Sequence, residues 1–245
     1  MNQNFSVQDM EPADIEPAKL RAFAIKLIII AFIAAVVILY NYKKNTERQE
    51  DQNRPPRIHP VKKKLEVSTF DNSAIQVTAI VSGKVSLIVP ISLMQPQKAQ
   101  VALESVARIS EGLNDQAKPI IQVVLISVSP EEDTVESMQE WLQANYDFSG
   151  LDVVVIDGPS ITPEQAQDTR DFAKKQFRFE PLYKDKDTKK WVFPTLVALV
   201  DTERTFRGRY DFDEAYSLAE EYGQTLEQTL TAHINYLVED SQKIN

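Results

Sequence analysis

The stretch from Ala22 to Tyr42, AFAIKLIIIAFIAAVVILYNY, constrains this chain more than any other. Leu27 to Tyr40 contains no charge, and Lys26 lies close enough to one end for its ammonium to reach a membrane interface along its own methylenes. About 20 apolar residues span a hydrocarbon core as a helix. Tyr40 and Tyr42 stand where interfacial aromatics gather. A cleaved signal peptide fits less well: no small-residue cleavage site follows, and the chain runs straight into Asn41-Tyr42-Lys43-Lys44. The acidic residues Asp9, Glu11, Asp14 and Glu16 before the run also disfavour a mitochondrial transit peptide. We therefore expect a retained single-pass anchor. Lys19, Arg21 and Lys26 flank one end and Lys43, Lys44 and Arg48 the other, so charge alone does not orient it.

The expected organisation is a polar tail over residues 1–21, a membrane helix over 22–42, a polar linker over 43–64 and a soluble domain over 65–245. The linker holds Pro55-Pro56, Pro60 and the basic residues Arg54, Arg57 and Lys62 to Lys64, and His59 within it is expected to be exposed. The soluble part alternates strand and helix signals. VTAIV (Val77 to Val81) and Val85 to Val89 read as short strands around Gly83-Lys84, and Gln97 to Leu113 as a helix. Pro119 to Val128 reads as a strand covered on both faces, Glu131 to Asn145 as a helix with acidic residues in its first turn, and Leu151 to Ile156 as another strand. Pro163 to Phe177 reads as a helix. Trp191 to Val200 and Phe206 to Tyr210 read as a closing hairpin, and Phe212 to Asp240 as a final helical region broken near Tyr222-Gly223. That order predicts an α/β fold: a mixed sheet flanked by helices, thioredoxin-like in plan.

Composition narrows the chemistry. Of 245 residues none is cysteine, which excludes disulfides, thiol redox chemistry and thiolate metal sites. The two histidines, His59 and His233, are too few for an ordinary zinc or copper site. A formal charge of −9 disfavours nucleic acid. Six glycines form no phosphate loop, no serine has a triad context, and no catalytic residue, metal site or cofactor is expected. Glu131, Glu132 and Asp133 read as solvated helix-terminal charges, Lys184 to Lys190 as a surface loop, Trp141 and Trp191 as packing residues and His233 as structural.

Three stretches resemble the Sco/SenC family, the thioredoxin-like copper chaperones of cytochrome c oxidase assembly. VVLISVSPEEDTVESMQEWLQAN (Val123 to Asn145) is similar to the segment after that family's active site, with Ser129 where Asp is usual. GKVSLIVPISLMQPQKAQ (Gly83 to Gln100) resembles the strand and loop that carry its Cys-Pro-x-x-x-Cys-like site. FPTLVALVDTERTFRGRYDF (Phe193 to Phe212) resembles the strand and hairpin after its metal-binding histidine. The resemblance puts Gln95 and Ala99 at the two cysteine positions and Phe193 at the histidine position. It also compares Pro194 with the cis-proline that faces the active-site loop in thioredoxin-like proteins; a trans proline at the start of a strand is the other reading of this position.

An amide, a methyl group and a phenyl ring offer copper(I) no soft donor. The resemblance therefore implies a degenerate, non-catalytic member that works through protein contacts. Cytochrome c oxidase or its assembly factors are the partners it implies, at the bacterial inner membrane with the C-terminal domain in the periplasm. Met94, Pro96, Arg204, Arg207 and Arg209 are the residues expected at an interaction surface. One alternative is a copper or redox protein using Met94, His59 and His233; another is an anchored interaction module unrelated to respiration.

Overall fold

The computed structural model describes residues 17–68, 74–148, 150–156, 162–212 and 226–244. The chain divides between Asp51 and Gln52 into two units. The first contains most of helix α1 (Pro17–Asn53). Within it, Ile25–Lys44 is long and apolar enough to cross a membrane, and none of that span is buried by protein. α1 runs past Tyr42 to Asn53, so the expected linker is helical in its first half.

The second half of the expected linker belongs to the folded unit. Ile58 N–H donates to the Phe206 carbonyl at 3.0 Å and Val61 N–H to the Arg204 carbonyl at 2.7 Å. Between them β1 (His59–Pro60) forms the sheet edge against β10 (Thr205–Asp211). An edge tolerates Pro60, which has no N–H to give. Val61 is 2% exposed, so apolar burial, too sparse to stand out among the charges, holds this segment down.

The main sheet has six strands in the order β1-β10-β9-β4-β5-β6. β4 (Val85–Ile91), β5 (Ile121–Ser127) and β6 (Asp152–Ile156) are parallel neighbours. β9 (Leu196–Val200) runs antiparallel to β4, and β10 antiparallel to β9. β4, β5 and β9 are buried along their whole lengths, which is why they appear in the sequence as continuous apolar runs. Alternate side chains feed two cores. Leu87, Val89, Val123 and Leu125 meet helices α3 (Pro96–Gly112), α4 (Val135–Asn145) and α6 (Leu226–Ile244). Ile88, Val124 and Ile126 meet α5 (Pro163–Phe177) and its Phe172 and Phe177. Two small ladders, β2 (Glu66–Ser68) with β3 (Ala74–Gln76) and β7 (Tyr183–Lys184) with β8 (Trp191–Val192), complete the set.

Two local expectations need correction. Val77–Ile80 is a single helical turn, α2, which buries Val77 and Val81 in the second core. α4 begins at Val135, after Pro130 to Asp133, because Thr134 and Ser137 form a reciprocal capping box there. The N–H groups of Glu132 and Asp133 instead bond back to the Ser129 carbonyl as a turn. The same capping device, Thr162 with Gln165, starts α5 at Pro163. The expected helix break near Tyr222-Gly223 lies outside the described residues.

Candidate functional site at the end of the central strand

Ser92 to Gln95 join β4 to α3 at the carboxyl end of the parallel strands, where open α/β sheets form their sites. Two groups hold this loop. Asp133 is 2% exposed and accepts from the Leu93 N–H at 3.1 Å and from the hydroxyls of Ser127 and Ser129, each at 2.8 Å. Ser129 Oγ is also 2.7 Å from Ser92 Oγ, which ties the end of β4 to the end of β5. Burial raises the Asp133 pKa above the ordinary carboxylate value, and the hydrogen bonds from Ser127, Ser129 and Leu93 only partly oppose it. The second group is Gln95. Its side chain is buried and donates from Nε2 to the Trp191 carbonyl at 2.8 Å. Gln95 is also the residue before α3, and Pro96 takes the first helical position, where its missing N–H costs nothing.

The three positions assigned to family ligands share this end of the fold. Gln95 reaches Trp191, two residues before Phe193. Ala99 packs into the first core from the start of α3 at 1% exposure. Phe193, 2% exposed, packs into the second core, and Lys98 Nζ lies 5.3 Å from the centre of its ring. The residues present do not suit copper. The Gln95 amide is committed to a carbonyl, and Ala99 and Phe193 have no donor atom. Among the described residues no group of three or more His, Cys, Asp or Glu side chains could hold a metal ion.

Met94 is 66% exposed and Pro96 half-buried, at the surface of the loop. Met94 is not brought together with the histidines. His59 donates from Nε2 to the Gln176 carbonyl at 3.0 Å and packs its ring 5.1 Å from that of Phe206, so it is not the exposed residue expected. His233 Nδ1 is hydrogen-bonded to the Tyr210 hydroxyl, whose pKa burial pushes up, keeping its proton. Phe206 and Tyr210 are four residues apart and would share a strand face. The register shift between Phe206 and Gly208 sends them to opposite cores, and one histidine goes with each.

Pro194 requires a correction. The one cis peptide bond among the described residues is Glu180–Pro181, and Phe193–Pro194 is trans. Pro194 lies between β8 and β9, where the chain enters a strand and no ladder N–H is required of it.

The arginines separate too. Arg204 is exposed in the turn before β10, with φ +64°. Arg207 is buried: its Nε is 2.6 Å from Asp201 Oδ2 and its Nη1 donates to the Pro55 carbonyl at 3.2 Å, so it cannot serve a surface. Arg209 is half-buried and donates to the Arg178 and Glu180 carbonyls and to Asp211. Inward acceptors explain both: they engage guanidinium donors that would otherwise face a partner.

Sequence reasoning missed the Asp133 network, having placed Glu131 to Asp133 on a solvated face. The run Ser127-x-Ser129-x-x-x-Asp133 after an apolar strand was the available signal. It also missed Arg170, whose Nη1 meets both Glu131 carboxylate oxygens at 2.9 Å and whose guanidinium lies 4.3 Å from the Trp191 ring centre.

Comparisons with known proteins agree with this fold. A family model for SCO1/SenC matches residues 78–231, more than half of the chain. Comparison with curated proteins gave no match. Among solved structures, the chain is similar to copper-bound ScoI of Bradyrhizobium japonicum, with a TM-score of 0.52 and 16% identity over 71% of this chain and 98% of that one. It is similar also to a SCO1/SenC family lipoprotein of Bacillus anthracis, with a TM-score of 0.54 and 16% identity over 75% and 96% of the two chains. A third is BsSco, a member of the Sco family of cytochrome c oxidase assembly proteins for which a disulfide switch was identified. Its TM-score is 0.53, with 16% identity over 76% of this chain and 97% of that one. At these identities the solved structures speak for the fold.

Proposed function

The chain belongs to the SCO1/SenC family, and from that premise we propose that it is a membrane-anchored scaffold member that acts by protein contacts in the assembly or stabilisation of cytochrome c oxidase or another respiratory complex. The single observation that carries this reading is the occupancy of the site. Gln95, Ala99 and Phe193 stand where the family's ligands are expected, and all three are buried in the packing of the fold.

Each of the three has a structural role that a ligand could not also serve. Gln95 satisfies the Trp191 carbonyl, Ala99 is packed into the first core, and Phe193 is one of the largest fully buried side chains. The loop conformation is kept by Asp133, Ser92 and Ser129 without a metal or a disulfide. A preorganised loop with a single thioether and no thiolate or imidazole suits recognition, and Met94 at its tip offers a polarisable apolar contact. In this reading α1 spans a bacterial inner membrane with its N-terminal end in the cytoplasm and the folded unit in the periplasm. The protein is not an enzyme and transfers neither copper nor electrons.

Purification of the full chain from its native membrane in mild detergent, followed by mass spectrometry and a haem spectrum, tests the reading. Oxidase subunits or assembly factors are expected to co-purify, and their absence would remove the respiratory assignment.

A further inference from the structure

One exposed face of α3 and the end of α4 enclose a groove of about 560 Å³ beside the loop. It carries the acidic residues Glu104, Glu111 and Asp147 and the aromatic rings of Trp141 and Tyr146. The groove also contains Arg108, whose guanidinium is engaged by neighbouring side chains. Arg108 pairs with Glu227 of α6 and donates to Ser105 Oγ at 3.0 Å, and its hydrogen bond holds the Glu227 carboxyl below the ordinary range. Glu104 accepts only from the neutral Gln100 amide at 2.8 Å, and neither Glu104 nor Glu111 has an ion pair among the described residues.

Three independent features of this groove favour positive charge. Glu104 and Glu111 form no ion pair among the described residues, and the nearby cation Arg108 is paired with Glu227. The floor is aromatic: the Trp141 and Tyr146 rings lie 5.5 Å apart, and both residues are half-buried and line the groove, where aromatic rings attract cations. The carbonyl end of α4 opens here, with Asn145 in its last turn and Tyr146 as its C-cap, and supplies the negative end of a helix dipole. Burial, and the charge of Glu104 after it, raise the Tyr146 pKa, so its hydroxyl stays protonated beside those carboxylates.

We propose that this groove is a docking site for a basic segment of a partner protein, with lysine or arginine side chains held between the Trp141 and Tyr146 rings and the carboxylates of Glu104 and Glu111. It rests on the protein-contact reading above and names the chemistry of the contact. The groove follows α3 from Pro96 to Glu111, about 22 Å at the helical rise per residue. That length takes about seven residues of extended chain. Anionic lipid and nucleic acid are repelled by the same charges.

The test uses the full chain in non-ionic detergent, with a fluorescein-labelled peptide of about seven residues alternating lysine and glycine as the probe. Its glutamate-glycine counterpart is the control. At about 50 mM salt, where screening is weak, the lysine peptide is expected to bind and the glutamate peptide not to. Glu104→Gln with Glu111→Gln should weaken binding about three- to tenfold. Trp141→Leu should weaken it about two- to fivefold. A charge-matched pair on the exposed face of α5, Glu164→Gln with Asp168→Asn, should leave it unchanged. Equal affinity for both peptides, an unchanged affinity in the Glu104/Glu111 variant, or an equal loss in the Glu164/Asp168 variant would overturn the proposal. Binding of the peptide does not depend on which complex co-purifies, so this proposal and the respiratory assignment fail separately.

Discussion

Gln95 donates its side-chain amide to the main-chain carbonyl of Trp191 at 2.8 Å, across 96 residues of sequence, and so ties the start of α3 to the ladder of β7 and β8. A buried carbonyl at this place needs a donor, and a cysteine thiol would supply only a weak one. The residue that the resemblance compares with a family ligand is therefore integrated into the fold.

Replacing Gln95 by Ala should destabilise the folded unit by about 1–3 kcal/mol, the cost of leaving one buried polar group unpaired. Thermal unfolding of the full chain in detergent measures this. A change within about 0.5 kcal/mol, the usual range for surface substitutions, would show that the contact is not needed.

Copper(I) titration of the purified chain should show no stoichiometric site with affinity tighter than micromolar. The combined variant Gln95→Cys, Ala99→Cys and Phe193→His should acquire copper(I) binding, because it places two thiolates and an imidazole at one end of the sheet. The same variant should unfold at a lower temperature, since exchanging the buried Phe193 ring for an imidazole gives up core packing. Tight stoichiometric binding by the unaltered chain would sink the scaffold reading.

Arg207 and Asp201 form an ion pair in which each side chain is only 4% exposed. Arg207→Ala leaves the Asp201 carboxylate buried without its cation and should cost about 3–5 kcal/mol. Arg204→Ala, in the exposed turn, should change stability by less than about 0.5 kcal/mol. Denaturant midpoints of the two variants should differ clearly; equal midpoints would refute the buried-pair assignment.

Asp133 gives a pH dependence of definite sign. Its folded-state pKa is raised, chiefly by burial, so the fold binds its proton more tightly than the unfolded chain does. The stability it contributes is present in full below the unfolded-state value of 3.8 and is lost as pH rises through the folded-state value. Relative to Asp133→Asn, the unaltered chain should therefore be at its best in acid and lose ground towards neutrality. Urea midpoints of both proteins across that range check it, and a difference that grows in the opposite direction would contradict it.

The proposed orientation predicts an active alkaline phosphatase when that reporter is fused after Asn245 and an inactive one when it is fused ahead of α1. The reverse pattern would place the folded unit in the cytoplasm.

Much of the architecture was legible before any coordinates. The buried strands β4, β5 and β9 announce themselves as apolar runs because both their faces are covered. Residues 22–42 show the same one-dimensional signal, and Ile25–Lys44 is a helix long and apolar enough to cross a membrane. The absence of cysteine excludes thiol chemistry on composition alone. VTAIV was misread because β-branched residues in so short a run satisfy a strand pattern and a single buried helical turn equally. The docking of residues 58–61 was hidden because one buried apolar residue among charges, Val61, has no periodicity, yet with the backbone hydrogen bonds of Ile58 and Val61 it holds an edge strand.

By itself, then, the sequence determined which segments are apolar enough to be buried or to cross a membrane, and which donor atoms the chain lacks. Both are properties of residues taken singly or in short runs. Only the tertiary structure decided how polar side chains are spent, because their cost and use depend on partners that are distant in sequence. It turned Arg207 inward to Asp201 and Pro55, and placed Asp133 under the loop. It separated His59 from His233 by one shift of register, and left Glu104 and Glu111 facing a groove whose nearest cation is already paired.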